Sequence, residues 1–289
     1  MTSDKRAIDL TLSVTGGGRA VDLLSIGSGL SKLRLKEAMT KGAVWLRRGG
    51  GKPQRLRRAT AEVAPGDVLR LCYDERILTA PVPIPVLLAD HRGFSLWFKP
   101  AGLLAQGTDF GDFCSLLRLV ELHFRQKRMV FPVHRLDREV SGLVLVAHTP
   151  KEAARLGRYF AERRVAKSYL AGVRGRITPG ESLIFAGDLD GKPARTLALG
   201  LACQSDLDES LVLVKPETGR LHQIRRHLAD HGTPIIGDYR YGVADPATMR
   251  LCAVRLLLAR DGKIPALDLR LPEQYLPDWA GAGGNQPCW

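Results

Sequence analysis

Three prolines in alternate positions, Pro81, Pro83 and Pro85, keep the segment around them from being helix or central strand. Each fixes its own φ, and each removes a backbone donor. Pro81-Val82-Pro83-Ile84-Pro85 therefore reads as a stiff linker, and a chain of 289 residues is long enough to place a domain on each side of it. The expected division is 1–79, 80–277 and a C-terminal tail at 278–289.

The two sides differ in charge. Lys and Arg number 43 against 30 Asp and Glu, a formal net charge of +13. Ten of those cations lie between Ser31 and Arg58 with one acid, Glu37, so a net +9 sits in a short stretch of the first domain. Such an excess points to a polyanionic partner, nucleic acid first and an anionic membrane surface second. Ser31 is placed to cap a helix through Met39, with Leu35, Ala38 and Met39 as its apolar stripe and Gly42 as its stop. Ala43-Val44-Trp45-Leu46 reads as a strand, and Arg47-Arg48-Gly49-Gly50-Gly51-Lys52 as a basic turn. A charge run is commonly just a solvated face, but a face built only for solubility mixes both signs. Arg47, Arg48, Arg55, Arg57 and Arg58 are accordingly expected to contact RNA.

Several classes are disfavoured. No apolar run approaches the roughly 20 residues of a spanning helix, and Met-Thr-Ser-Asp-Lys-Arg has no apolar leader core, so a cytoplasmic protein without a membrane partner is expected. Five cysteines, at 72, 114, 203, 252 and 288, form no Cys-x-x-Cys pair and encode neither a disulfide framework nor a zinc ribbon. Gly27-Ser28-Gly29 lacks the third glycine of a dinucleotide loop, position 32 being Lys, and no phosphate-binding G-x-x-x-x-G-K-[ST] occurs. His227 and His231 lie four apart on a helix without further ligands, so no metal, nucleotide or other cofactor is expected. No additional apolar patch is legible, and a monomer is expected.

The second domain mixes strands and helices without regular alternation. Ser95–Phe98, Leu143–Ala147, Val165–Val173 and Leu211–Val214 read as strands. Thr149-Pro150 caps a helix carrying Ala153, Leu156 and Phe160, and a further helix is expected from about Leu221 to His231. Chemistry concentrates in Val133-His134-Arg135-Leu136-Asp137-Arg138-Glu139-Val140-Ser141-Gly142-Leu143, where a carboxylate stands between cations ahead of a buried strand. Asp137 is either a loop acid paired with Arg135 or Arg138, or a nucleophile held rigidly by the sheet. Lys167-Ser168-Tyr169-Leu170-Ala171 and Gly219-Arg220-Leu221-His222-Gln223-Ile224-Arg225-Arg226-His227-Leu228 fit the second reading.

Taken in that order, these segments resemble the RluA family of pseudouridine synthases, supported by Lys99-Pro100-Ala101-Gly102-Leu103 and by Gly232-Thr233-Pro234-Ile235-Ile236-Gly237-Asp238. The resemblance runs from about Leu88 to Leu271, and the first domain is similar to the small RNA-binding module that often precedes that catalytic domain. It implies an α+β fold: a mixed, largely antiparallel sheet flanked by helices behind a small N-terminal RNA-binding module. It also implies that Asp137 is the catalytic aspartate, that Tyr169 stacks on the base, and that Arg225 pairs with the aspartate. Arg135 would fill the space left by a flipped nucleotide, and His134, His222, Gln223 and Lys99 would contact RNA. Val140 stands where the family usually has Thr, and Leu221 where Thr or Ser is common, which bears on loop geometry and target choice. The implied substrate is ribosomal or transfer RNA.

Those residue types suit the reaction. Turning uridine into pseudouridine breaks a C–N glycosidic bond and joins C5 to the same sugar carbon, with no redox change and no group donor. A carboxylate can attack the electron-poor sugar centre or remove a sugar proton. A paired Arg225 keeps that carboxylate ionised in a dry pocket, and Tyr169 offers an aromatic face to the flipped base. The competing reading is a non-catalytic RNA-binding or ribosome-assembly factor on the same fold, which has no need of all three groups. A methyltransferase is disfavoured by the missing glycine-rich loop.

Overall fold

The computed structural model describes residues 7–204, 206–243, 247–261 and 266–281. The first six residues, Cys288, and positions 282–289 of the expected tail lie outside them. The chain forms two compact units: Met1–Pro83 with Gln106–Phe124, and Ile84–Ala105 with Arg125–Trp289.

In the first unit the described elements are β1 (Ala7–Ser13), β2 (Gly18–Arg19), α1 (Ala20–Ser28), α2 (Lys32–Thr40), β3 (Val44–Arg47), β4 (Gln54–Arg55), β5 (Glu62–Val63), β6 (Val68–Asp74), α3 (Glu75–Leu78) and, from the returning segment, α4 (Leu116–His123). An antiparallel sheet runs β1-β6-β3-β4. Ser31 caps α2 by accepting from the Arg34 amide, and Gly42 takes the left-handed φ of 81° that ends it. Leu35, Ala38 and Met39 are fully buried against Val44, Leu69 and Leu71, which is what turns the charged face of α2 outward.

Residues 106–124, expected in the second domain, instead pack with the first because they carry the acids its arginines need. Asp112 Oδ2 lies 3.2 Å from Arg55 Nε and also accepts from Arg57, while Arg70 reaches Asp109 at 3.1 Å. The Arg55 guanidinium also lies over the Trp45 ring at 4.2 Å. Arg48 pairs with Asp67 at 3.3 Å. This corrects the expectation of five RNA-facing arginines for two of them: Arg55 and Arg57 are drawn inward by Asp112, while Arg48, though paired with Asp67, stays exposed. Arg47 and Arg58 remain exposed, with no ion pair among the described residues. The neutralising acids lie outside the 31–58 window, so a local charge count does not see them.

The second unit is built on β7 (Val86–Asp90), β8 (Phe94–Lys99), β9 (Phe131–Pro132), β10 (Ser141–Ala147), β11 (Val165–Arg174), β12 (Ser182–Leu189), β13 (Lys192–Gln204), β14 (Glu209–Pro216), β15 (Leu251–Leu258) and β16 (Leu267–Arg270), with α5 (Pro150–Ala161) and α6 (Gln223–Asp230). The sheet order is β12-β13-β14-β11-β15-β10-β8-β7, with β16 paired to β15 and β9 to β10. Every pairing is antiparallel except β10 with β15, so the sheet is mixed and largely antiparallel, as the α+β expectation required. Leu156 and Tyr159 of α5 bury against Leu143, Leu145, Val254 and Leu256. The expected tail is corrected at its start: Asp278–Ala280 is a 3-10 turn, and Ala280 and Trp279 pack on this core.

One crossing fixes the geometry of everything downstream. Ala253 on β15 pairs with Tyr169 on one side and with Gly142 on the other. A β-bulge follows Tyr169's neighbour, Ser168 facing Arg255 while Tyr169 faces Ala253. Gly142 has φ +119°, and a Cβ there would stand 2.3 Å from the Ala253 carbonyl oxygen and 2.4 Å from its nitrogen. Only glycine lets the strand that carries the Asp137 loop approach so closely.

Two substitutions test these placements. Gly142→Ala is expected to cost about 2–4 kcal/mol in stability, through overpacking and the positive φ together. A denaturation midpoint equal to wild type contradicts the close approach. Asp112→Ala leaves two guanidiniums without their shared carboxylate, costing about 2 kcal/mol locally. It shows as lost amide protection in β3 and β6, and unchanged protection argues against the engagement of Arg55 and Arg57.

Candidate active site

Asp137 lies in the loop that leads into β10, and that loop is clamped from below by the segment after β8. The Lys99 ammonium is fully buried and donates to the carbonyls of Pro100 (3.0 Å), Leu103 (2.8 Å) and Arg138 (3.2 Å). The Gly102 amide donates to the Arg138 carbonyl at 2.7 Å, and Arg138 Nε returns a bond to the Gly102 carbonyl. Burial pushes the Lys99 amine down to about 7, the nearby Glu139 and Asp137 opposing that shift. Lys99 thus organises the Asp137 loop from inside, its ammonium spent on three carbonyls and turned away from solvent, which corrects its expected place on an RNA-facing surface.

His134 is corrected in the same way. Its Nε2 accepts from the Leu145 amide at 3.0 Å and its ring stacks on Phe160 at 4.5 Å, so it ties the loop to β10. Burial pushes its pKa down to about 3, in keeping with a neutral ring that accepts at Nε2. Gln223 is the third correction. It is buried, its Oε1 accepts from Thr218 Oγ1 (2.6 Å) and the Arg220 amide (3.0 Å), and its Nε2 donates to the Arg195 carbonyl and Thr196 Oγ1 (both 2.9 Å). Every polar valence of the amide is used to fasten the start of α6 to β13. His227 joins the same network through Thr196, and His231 faces Thr233.

So fastened, α6 begins at Gln223, later than the expected Leu221, because His222 takes a left-handed φ of 53° as its N-cap. The helix points Arg225 inward. Asp238, 1% exposed, grips that guanidinium with Oδ2 at 2.6 Å from Nε and Oδ1 at 2.7 Å from Nη2. Burial alone would raise the Asp238 pKa, but the Arg225 bonds and charge, with the Arg240 and Tyr241 amides, outweigh it and hold the carboxyl below its ordinary value. The one remaining terminal nitrogen, Nη1, faces Asp137 Oδ2 at 3.4 Å and Glu139 at 3.9 Å. His222 Nε2 stands 3.6 Å from the same Asp137 oxygen.

These groups open into a cleft of about 320 Å³ lined by Arg135, Asp137, Lys167, Tyr169, His222 and Arg225, with Val140 and Leu251 as apolar wall. That volume is in the range of about 300–1,000 Å³ usual for small-ligand pockets. Tyr169 is half-buried, its pKa is raised by burial, and its hydroxyl has no hydrogen bond among the described residues. Arg135 is exposed at the mouth. Lys167 sits on the same strand as Tyr169, its pKa lowered by burial. The structure thus brings Asp137, Tyr169, Arg225, His222 and Arg135 together and places Lys99, His134 and Gln223 behind them. Sequence reasoning missed Asp238 and Tyr241 as site residues. Asp238 appears only within the Gly237-Asp238 echo, and nothing in a 13-residue separation announces a bidentate pair.

Comparison with known proteins agrees with this geometry. Residues 93–230 match the family described as RNA pseudouridylate synthase. An uncharacterized RNA pseudouridine synthase of Helicobacter pylori is 33% identical over 63% of this chain, which spans 66% of that protein's length. The Salmonella typhi protein named dual-specificity RNA pseudouridine synthase RluA is 35% identical, over 61% of this chain and 84% of that one. The solved structure of human RNA pseudouridylate synthase domain containing 1 superposes with a TM-score of 0.56 at 27% identity, covering 68% of this chain and 87% of its own. With the matched residues running through the Asp137 loop, Tyr169 and the first turns of α6, the chain belongs to the RluA family of RNA pseudouridine synthases.

Proposed function

We propose that this chain isomerises uridines to pseudouridine in structured RNA, with Asp137 acting on the ribose of a flipped nucleotide. The observation that carries the reading is the Arg225 guanidinium, fixed on two nitrogens by Asp238 and presenting the third to Asp137 at 3.4 Å inside a nucleotide-sized cleft. A cation so fixed stands beside one carboxylate oxygen and sets the direction from which the acid meets the ribose. Asp137 then either adds to the sugar carbon as the glycosidic bond breaks and leaves it again as C5 of the released uracil bonds there, or takes a sugar proton and returns it when that carbon bond forms. The Tyr169 ring receives the base; C5 gives up its proton once bonded to the sugar and N1, freed from the sugar, ends protonated, so the isomerisation needs no net proton. Arg135, at the mouth, occupies the gap in the strand.

Large-subunit ribosomal RNA, or else transfer RNA, is the substrate in this reading, and the dual-specificity name of the Salmonella relative supports a site open to more than one RNA. The enzyme works as a cytoplasmic monomer. Arg47 and Arg58, exposed on the first unit, take flanking phosphates in a salt-dependent way. A non-catalytic RNA binder is the weaker reading, since nothing in binding alone calls for a buried Asp238–Arg225 pair aimed at an acid.

Tritium release from RNA labelled at uridine C5 tests the chemistry. Wild type is expected to release label from unmodified ribosomal or transfer RNA, while Asp137→Asn binds the same RNA within about twofold and releases at least about a thousandfold less. Turnover by Asp137→Asn rules out the role given to that carboxylate.

A further inference from the structure

We propose that His222 orients Asp137 for reaction, as a positioning residue and not as the RNA contact suggested by its motif. The proposal rests on the reading of Asp137 given above. Three observations carry it, and the first is conformational. His222 has φ 53° and ψ 29°, a left-handed backbone that a non-glycine residue adopts at a cost. Such a conformation persists where its surroundings enforce it, and here they do. The Gln223 network pins the residue that follows, and the Arg226 amide bonds to the His222 carbonyl at 2.9 Å.

The second observation is what the ring faces. Nδ1 lies 3.0 Å from the Tyr241 hydroxyl, and Nε2 lies 3.6 Å from Asp137 Oδ2. When that hydroxyl donates its single proton to Nδ1, the ring's own proton resides on Nε2, the nitrogen turned to the carboxylate. The carboxylate facing Nε2 can only accept, so it favours the tautomer with its proton on Nε2, and the Tyr241 hydroxyl completes that tautomer by donating to Nδ1. The same aromatic ring stands edge-on to His222 at 5.6 Å and lies 5.2 Å from the Arg225 guanidinium, so it holds both of the groups that meet Asp137.

The third is where the two meet. Arg225 Nη1 and His222 Nε2 converge on one oxygen, Oδ2, while Oδ1 has no hydrogen bond among the described residues. The Arg225 bond, with the imidazole Nε2 standing just beyond hydrogen-bond reach of the same oxygen, favours one rotation of the carboxylate and leaves its second oxygen for substrate. Removing the imidazole donor leaves Arg225 to hold Asp137 alone, about an axis the carboxylate can turn on. The loss appears in the chemical step, since the RNA grip is made elsewhere.

The test is the kinetics of pseudouridine formation on unmodified ribosomal or transfer RNA with four variants. His222→Asn keeps a residue that tolerates the left-handed backbone but is too short to present a donor at the Nε2 position. It is expected to lower kcat roughly ten- to hundredfold with KM within about twofold. His222→Gln reaches that position with an amide N–H and is expected to recover most of the lost rate. Tyr241→Phe keeps the ring contacts and removes only the hydroxyl, so it should lower kcat in the same direction and add little to His222→Asn. A rise in KM with unchanged kcat would make His222 an RNA contact and overturn the proposal. So would wild-type kinetics, or a loss that glutamine fails to recover. Asp137→Asn serves as the control: turnover by that variant overturns the reading of Asp137, whereas its silence beside a His222→Asn of wild-type kcat overturns only the role of His222.

Discussion

The site depends on one buried ion pair. Arg225 is 3% exposed and Asp238 1%, and a guanidinium withdrawn from water to that degree is tolerable only with a carboxylate in bidentate contact. The pair looks wasteful as a stabilising device, because apolar residues of the same volume fill such space at least as well. Its value is geometric. With Nε and Nη2 taken by Asp238, the direction of Nη1 is no longer free, and that direction is toward Asp137. The helix that carries Arg225 is fixed in turn by neutral bonds through Gln223 and Thr196, which hold without adding charge to the pocket.

The sheet supplies the other half of the constraint. Because Ala253 pairs with Gly142 on one side and Tyr169 on the other, the Asp137 loop and the tyrosine ring are set by a single point on β15. Lys99 fixes the same loop from beneath through three carbonyls, converting a flexible surface turn into a rigid mount. The loop thus owes its rigidity to groups that never meet the substrate, a common arrangement where reacting atoms must be placed within a fraction of an ångström.

Much of this was legible from residue order, and the failures share a cause. Periodicity and caps placed α2, α5, β8, β10 and the linker at Pro81–Pro85, since those depend on neighbours in sequence. The motifs alone single out Asp137, Tyr169 and Arg225, which the fold brings to one cleft. The strand β15, central to the whole geometry, drew no notice because Leu251–Leu258 is an apolar run without turn chemistry to frame it. The resemblance implies RNA contacts for Lys99, Gln223 and His134, and only burial and partner geometry show them turned inward. The arginines at 55 and 57 follow the same pattern: the acid that holds both arrives from beyond the linker, at Asp112. A sequence reveals which groups are present more readily than which of them will meet.

The central claim is that Asp137 works only while Asp238 keeps Arg225 aimed at it, and the most direct measurement is the single-turnover rate of Asp238→Asn on saturating RNA. Asparagine preserves the shape and one acceptor while removing the charge that locks the guanidinium. The account predicts RNA affinity within about twofold of wild type and a rate lower by at least about tenfold. An unchanged rate would contradict it, showing that Asp137 needs no fixed cation.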